Sequence, residues 1–346
     1  MFVITATLLA TLAQPSLTAP DAGVSYGGQA QPSLTAPDAG VSEGGQASRS
    51  VPAFQSTQGN QRGGRPNRPA DTDETVAVTK GTRLSVNNFA GEVQIRTWDR
   101  DSVRVQAFHS RRSTVSVKPG SSALVVTSSG MSGAIDYDIS VPAWMPVKIE
   151  GTYLYVAVEG TQADVTAETV RGDISIKGGT SVVTAKSVEG EIILEGVRGK
   201  VNANSINQGV TVNGASGELS VETVNGPITL TNIESSNVDV SSVNGNLKYD
   251  GNTAPNGRYR FTTHNGNISV GVPENGSAAF IVRTYNGSVR SDLQLQGGGE
   301  ARRGQRITYT LGSGSAEFEL ESFGGTIQLR RRGSEGPLRR LKDKEQ

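Results

Sequence analysis

The sequence predicts an all-β chain wound as a β-solenoid with coils of roughly 19 residues. Three observations point there. Ser/Thr-x-x-Gly turns recur in series, apolar and polar residues alternate on both sides of each turn, and no segment from 75 to 330 shows a helical period.

The turns set the frame. They read Thr169-Val170-Arg171-Gly172, Ser187-Val188-Glu189-Gly190, Thr223-Val224-Asn225-Gly226, Ser242-Val243-Asn244-Gly245, Thr263-His264-Asn265-Gly266 and Thr284-Tyr285-Asn286-Gly287. Ser205-Ile206-Asn207 reads as a variant with Gln208 inserted before Gly209, and Ser322-Phe323-Gly324-Gly325 closes the series. The glycines fall 17 to 21 residues apart, except for a double-length gap before the last.

Each turn is flanked by two short strands. Before it stand Val165/Ala167, Val183/Ala185, Val201/Ala203, Leu219/Val221 and Val238/Val240. After it stand Ile174/Ile176, Ile192/Leu194, Val210/Val212, Ile228/Leu230 and Leu247/Tyr249. A spacing of two places each set on one strand face, with Thr166, Glu168, Asn202 and Asn204 on the other. Two architectures fit such a unit. In an antiparallel meander Asn-Gly is a hairpin turn. In a solenoid it is a corner, and like residues stack on like; this is the favoured reading. The inward Ser or Thr must then bond a corner backbone group, because an unpaired buried hydroxyl costs about 1–3 kcal/mol. The corner glycine is expected to supply positive φ, with Asn the next most tolerant residue. Burying a Val, Leu or Ile stabilises by about 1.5–3 kcal/mol. Ordering each residue costs about 1–2 kcal/mol, so no coil stands without its neighbours.

The series changes towards its end. Tyr259/Phe261 and Phe280/Val282 put larger residues inward, and Gly297-Gly298-Gly299 interrupts the pattern. A wider, partly antiparallel closing section is expected there, covering the open sheet end. Residues 75–150 also alternate, through Val76/Val78, Val93/Ile95, Val103/Val105, Val115/Val117, Leu124/Val126 and Ile139/Val141. They are expected to form opening coils or a cap.

The first part of the chain differs. Residues 1–13, MFVITATLLATLA, read as the apolar core of a secretory signal, with Thr11 and Ala13 before a cleavage point at Gln14, although no Lys or Arg precedes them. Residues 13–29 repeat at 30–46, differing at Tyr26 and Glu43 alone. Pro, Gly, Ser and Ala dominate both copies, and Arg49, Arg62, Arg65 and Arg68 follow without an acid before residue 71. The expected organisation is a signal-like segment 1–13, a disordered tether 14–74, a solenoid domain 75–330 and a basic flexible tail 331–346. The first run is too short to span a bilayer and no later stretch reaches about 18 apolar residues, so no transmembrane helix is expected in the mature chain.

Composition narrows the function. The chain has 346 residues, 43 of them glycine, and no cysteine. Disulfide scaffolds and cysteine-ligated metal sites are therefore excluded. With 33 basic and 33 acidic side chains, no nucleic-acid partner is expected.

Two further elements carry a resemblance. Gly91-x-Val93-x-Ile95-x-x-Trp98 is followed by Val103-x-Val105, and Val141-Pro142-Ala143 leads into the serial coils. Over residues 75–330 the chain resembles the bacterial family catalogued as "putative adhesin", a domain of unknown function. The resemblance implies an exported or envelope-associated protein and a right-handed β-helix-like solenoid. It transfers no binding residues, and the duplicated segment is not part of its pattern.

β-helices also carry polysaccharide lyases and hydrolases, which need clustered carboxylates. The position after the corner reads Asp173, Glu191, Val210, Pro227, Asn246, Asn267, Ser288 and Thr326, which is no sustained acid ladder. Asp173 and Glu191 would lie about 5 Å apart on adjacent coils, where they could bind a cation or share a proton. Lys177 and Lys186 nearby favour a mixed charged surface instead. Asp99/Asp101 read as a turn beside Trp98, and Asp136/Asp138 as the polar face of a strand. His264 reads as a corner filler, and His109 stands among Arg111 and Arg112 without an evident partner. No G-x-S-x-G elbow, Walker A loop or G-G-x-G-x-D calcium repeat occurs. Gly297–Gly299 reads as a loop rather than a phosphate cradle.

Outward coil positions show almost no aromatics, while Trp144, Tyr153 and Tyr155 cluster earlier. The pair Thr229/Thr231 is too little for an ice-binding array. The tail sets Arg330, Arg331, Arg332, Arg339, Arg340, Lys342 and Lys344 against Glu335, Asp343 and Glu345, which could attract an anionic polymer or lipid.

The reading is a non-enzymatic exported or cell-envelope β-solenoid, adhesin-like in binding or scaffolding, in the periplasm, on the outer surface or secreted. Its expected partners are an envelope polymer, a glycan or an anionic lipid. No catalytic, cofactor-binding or metal residue is assigned, and no cofactor. The alternatives are a polysaccharide-active β-helix enzyme using Asp173 and Glu191, and an envelope filament stacking coil ends.

Overall fold

The computed structural model describes residues 69–130, 133–299 and 303–334, together with the backbone of 339–340. The signal-like segment and the duplication lie outside the described residues. So do Lys342 and Lys344. Among the described residues there is strand, turn and loop and no helix.

Seven strands open the domain: β1 (Thr72–Ala77), β2 (Arg83–Trp98), β3 (Ser102–Phe108), β4 (Ser113–Pro119), β5 (Ala123–Gly130), β6 (Asp136–Pro142) and β7 (Val147–Glu159). Six coils of paired strands follow. They are β8 (Val165–Arg171) with β9 (Ile174–Lys177), β10 (Thr180–Glu189) with β11 (Ile192–Glu195), and β12 (Arg198–Ser205) with β13 (Val210–Asn213). Then come β14 (Ser216–Thr223) with β15 (Ile228–Ile233), β16 (Asn237–Ser242) with β17 (Leu247–Gly251), and β18 (Arg258–Thr263) with β19 (Ile268–Val272). The closing section holds β20 (Ala278–Thr284), β21 (Val289–Ser291), β22 (Gln296–Gly297), β23 (Arg306–Leu311), β24 (Ala316–Ser322), β25 (Ile327–Arg331) and β26 (Arg339–Arg340).

The coils stack in parallel, as a solenoid requires and a meander forbids. The first strands of successive coils pair β8–β10–β12–β14–β16–β18, and the second strands pair β9–β11–β13–β15–β17–β19. Two walls result, with the inward residues between them. Long strands join the walls at the opening end. The first half of β7 pairs with β8 and its second half with β9, and β2 runs alongside β7 over both halves.

Register places like on like. Val183 lies between Val165 and Val201, and Ala185 between Ala167 and Ala203. Ile174, Ile192, Val210 and Ile228 form the facing column, so the early coils step by 18 residues. These side chains are all but fully buried. Small Ala and Val bring the walls together early; later the core widens to hold Tyr249, Tyr259, Phe261, Phe280 and Phe318. Tyr259 stacks on Phe318 with ring centroids 4.2 Å apart. Each buried phenol needs a partner, and Tyr249 donates to Asn252 O at 2.8 Å and Tyr259 to Ser235 O at 2.9 Å. Burial pushes both phenols above their usual range, and that of Tyr137 up to about 12.

Both ends depart from chain order. The last coil, β24 with β25, inserts between β18/β19 and β20/β21. At the other end β2 inserts between β7 and the strands β5 and β6. Antiparallel strands then cover the ends: β3 and β1 beside β6, β4 beside β5, and β23 with β22 beside β20. The expected closing section is thus present. Residues 72–74, read as tether from sequence, belong to β1, and Arg339–Arg340 pair with β21.

Candidate functional site: the outward corner

The corner is built from four positions per coil. The first is the Ser/Thr column, buried at each step from Thr169 to Ser322. From Ser187 onward each hydroxyl donates to the corner carbonyl of the adjacent coil, as the burial argument requires, while Thr169 donates to Thr152 O and Arg171 O. Ser187 reaches Gly172 O at 3.1 Å, Ser205 reaches Gly190 O at 3.2 Å and Thr223 reaches Gln208 O at 3.1 Å. Thr263 reaches Gly245 O at 3.0 Å, and Ser322 reaches Gly266 O at 2.8 Å.

The glycine column corrects an expectation. Among Gly172, Gly190, Gly226, Gly245, Gly266, Gly287 and Gly325, Gly172 alone has positive φ. Close approach is what selects glycine at most of these corners. A Cβ on Gly190, Gly245, Gly266, Gly287 or Gly325 would lie under 3.0 Å from the carbonyl oxygen of the neighbouring corner glycine. Positive φ belongs to the opposite corner, at Gly178, Gly196, Gly214 and Asn232. The third coil is also corrected. Val210 aligns with Ile192, so Gln208 occupies the corner and Gly209 the next place, with nothing inserted.

The remaining two positions face solvent. One holds an amide ladder: Asn225 Nδ2 donates to Asn207 Oδ1 at 3.2 Å, Asn244 to Asn225 at 2.9 Å and Asn265 to Asn244 at 2.9 Å. The other is an apolar row. Val170, Val188, Ile206, Val224, Val243, His264, Phe323 and Tyr285 follow one another in space, tied by backbone bonds between neighbouring coils. Val170, Ile206, Val224, Val243 and Phe323 expose 38–45 % of their surface. His264 stacks on Phe323 at 4.7 Å, and Phe323 meets Tyr285 at 5.1 Å. Three outward rings therefore adjoin at this corner, a cluster that the sequence reading did not see. They escaped it because Phe323 follows Tyr285 in sequence but precedes it in space.

Asp173 and Glu191 are brought together, yet in a structural arrangement. Asp173 Oδ1 accepts the backbone N–H of Glu191 at 2.9 Å. Asn246 and Asn267 do the same for the next coil at 2.8 Å, so a neutral amide oxygen serves here as well as the Asp173 carboxylate. Burial, followed by the charge of Asp173, raises the Glu191 carboxyl above its usual range, against a lowering hydrogen bond from Thr211. Lys177 and Lys186 pair elsewhere, with Glu195 at 3.2 Å and Glu168 at 3.0 Å. Among the described residues no three His, Asp or Glu side chains could hold a metal ion. A groove of about 160 Å³ opens over Ala157, between Arg96, Glu159 and Lys177. That is below the roughly 300–1,000 Å³ of ligand pockets.

Other candidates also resolve into structure. Asp101 accepts the Trp144 indole N–H at 3.1 Å, and Trp98 donates to Ser102 O at 2.7 Å. Asp136 accepts the Glu92 N–H at 2.9 Å, and Asp138 pairs with Arg96 at 3.5 Å. His109 does have partners: its Nε2 lies 2.9 Å from the Thr72 hydroxyl and its Nδ1 2.9 Å from Ser110 O. Three tail arginines are engaged by the fold. Arg330 donates to Ser334 O, and Arg331 pairs with Glu274. Arg332 reaches Asp250 at 3.0 Å, Asn252 at 2.7 Å and Asn232 at 3.0 Å.

The family model of Toastrack DUF4097 matches residues 81–330. The chain belongs to the Toastrack DUF4097 family. This Toastrack domain therefore runs from β2 into β25. No curated protein matches it. Among solved structures it is similar to a protein of Clostridium sporogenes described as a putative cell adhesion protein, at 11% identity and a TM-score of 0.20, over 77% of this chain and 100% of that one. It is also similar to a protein of Parabacteroides distasonis described as a putative adhesin, at 14% identity and a TM-score of 0.23, over 75% and 96%. No helix among the described residues of this Toastrack chain is long and apolar enough to cross a membrane.

Proposed function

We propose that the protein is a non-enzymatic solenoid of the cell envelope or exterior that binds or scaffolds through its outer surface. The observation that carries this is the distribution of apolar surface. The interior is filled by packed side chains and the hydroxyl ladder, while the corner holds a long exposed row from Val170 to Tyr285. An exposed contiguous apolar strip marks an interaction surface. The adhesin descriptions of the two similar structures agree with this reading.

In this reading residues 1–13 direct export, and the duplicated segment up to β1 tethers the solenoid. The tail beyond β25 adds a basic contact for an anionic polymer or lipid. The test is cell fractionation of a full-length fusion, followed by glycan and lipid arrays with and without the tail. Recovery with the envelope or medium is expected. A wholly cytoplasmic protein overturns the reading.

A further inference from the structure

We infer that the ridge from Ile206 to Tyr285 docks side by side against the same ridge of a second copy of this chain. The inference rests on the binding and scaffolding role proposed above and names a partner for it.

Three properties of the ridge select that occupant. The first is charge. In the six rungs Ile206, Val224, Val243, His264, Phe323 and Tyr285, neither the apolar row nor the neighbouring row Asn207, Asn225, Asn244, Asn265, Gly324 and Asn286 holds an acid, a Lys or an Arg. The next rungs outward do, with Arg171 paired to Glu189. The flat walls are laced with pairs such as Lys177–Glu195 and Arg260–Glu319. Two identical copies meeting on a wall would have to desolvate or repel charges. On the ridge the one charge found against a rung among the described residues is Arg283 over the Tyr285 ring at the end rung, already paired with Glu321, so both penalties are small.

The second property is pitch. Rungs of a β ladder repeat at about 4.8 Å. Seating apolar side chains between opposing rungs over six steps requires a partner with the same repeat. A second copy has it by identity, and interdigitated identical side chains are how stacked strands form dry contacts. An antiparallel two-fold arrangement centred between Val243 and His264 engages all six neutral rungs and leaves Arg171 and Glu189 outside. Such a contact is isologous and closes as a dimer.

The third property is ring orientation. His264 and Phe323 lie face to face at an interplanar angle of 7°, so each covers a face of the other and their edges remain. A sugar ring seeks an aromatic face. The amides of Asn225 and Asn244 are likewise engaged with one another. The ridge thus offers apolar edges to another protein surface better than a platform to a glycan.

The test uses the full-length chain in light scattering over a wide concentration range. A dimer is expected. Val224→Glu combined with Val243→Glu is expected to weaken association at least about a hundredfold, because it buries unpaired carboxylates against the partner's neutral rungs. Both positions are exposed, so the circular dichroism spectrum should stay unchanged. Because the chain has no cysteine, Val243→Cys gives an independent readout: a short bis-maleimide should yield a crosslinked dimer, and with Thr229→Cys on a flat wall it should not. A monomer at all concentrations, or a dimer indifferent to the paired Glu substitutions, overturns the inference. An exported protein that is monomeric overturns this inference alone. A ridge dimer confined to the cytoplasm overturns the envelope reading alone.

Discussion

The Ser322 hydroxyl donates to the carbonyl oxygen of Gly266 at 2.8 Å, across 56 residues of chain. That bond belongs to the same column as Ser187 to Gly172, although the coil carrying Ser322 arrives out of order. One local device, an inward hydroxyl on a corner carbonyl, therefore serves whichever strand occupies the next rung.

Removing one hydroxyl tests the device. Ser205→Ala leaves the Gly190 carbonyl without its side-chain donor and deletes a buried hydrogen bond. A loss of about 1 kcal/mol is expected in urea unfolding. An unchanged midpoint would show that the ladder adds nothing to stability.

The two kinds of glycine should respond differently to substitution. Gly245→Ala places a Cβ under 3.0 Å from the Gly226 carbonyl oxygen, and backbone must move to relieve it. A loss of at least about 3 kcal/mol is expected. Gly196 has φ of 64° with nothing within 4 Å of an added Cβ. Gly196→Ala there costs only the left-handed conformation, about 1–2 kcal/mol. Equal losses at the two sites, measured by chemical denaturation, would contradict the close-approach account.

Arg332 clasps the end of the last coil to the coils of Asp250 and Asn232. Arg332→Ala is expected to lower stability by about 1 kcal/mol, because the pair is partly exposed. Limited proteolysis should then cut earlier near β25. A cleavage pattern identical to that of the natural chain would refute the clasp.

The Asp173/Glu191 pair makes a pH prediction with a definite sign. The carboxyl of Glu191 is raised in the folded chain, so the fold binds that proton more tightly than the unfolded chain does. This contribution to stability is full below the ordinary carboxylate range and is lost as pH rises through the raised value. Glu191→Gln should therefore raise the melting temperature slightly at neutral pH, with the gain vanishing below about pH 4. A gain that persists in acid would locate the effect elsewhere. Loss of a glycan-cleaving activity in the same variant would revive the enzyme alternative.

How much was legible in the sequence follows from how local each feature is. Alternation at Val183/Ala185 and Ile192/Leu194 is a property of single strands, so the strands, their inward faces and the hydroxyl column could be read directly. The widening of the core was equally visible in Tyr259/Phe261. The candidate surface was half visible: the series Val224, Val243, His264 stood in the turns, but its continuation through Phe323 before Tyr285 did not.

The sequence by itself determined an all-β repeat, its corner positions, its inward residues and the need to satisfy each inward Ser or Thr. The tertiary structure decided what depends on which strands become neighbours. Phe280/Val282/Thr284 and Phe318/Leu320/Ser322 carry the same inward pattern, so both strands suit the edge of β18. Only the packed molecule shows that β24 takes it. The same holds for the glycines, whose necessity lies in the carbonyl of the next coil rather than in their own φ. It holds too for Gln208, whose place at the corner is set by the pairing of Val210 with Ile192. Alternation is written along one strand, whereas adjacency is a relation between coils that no single segment records.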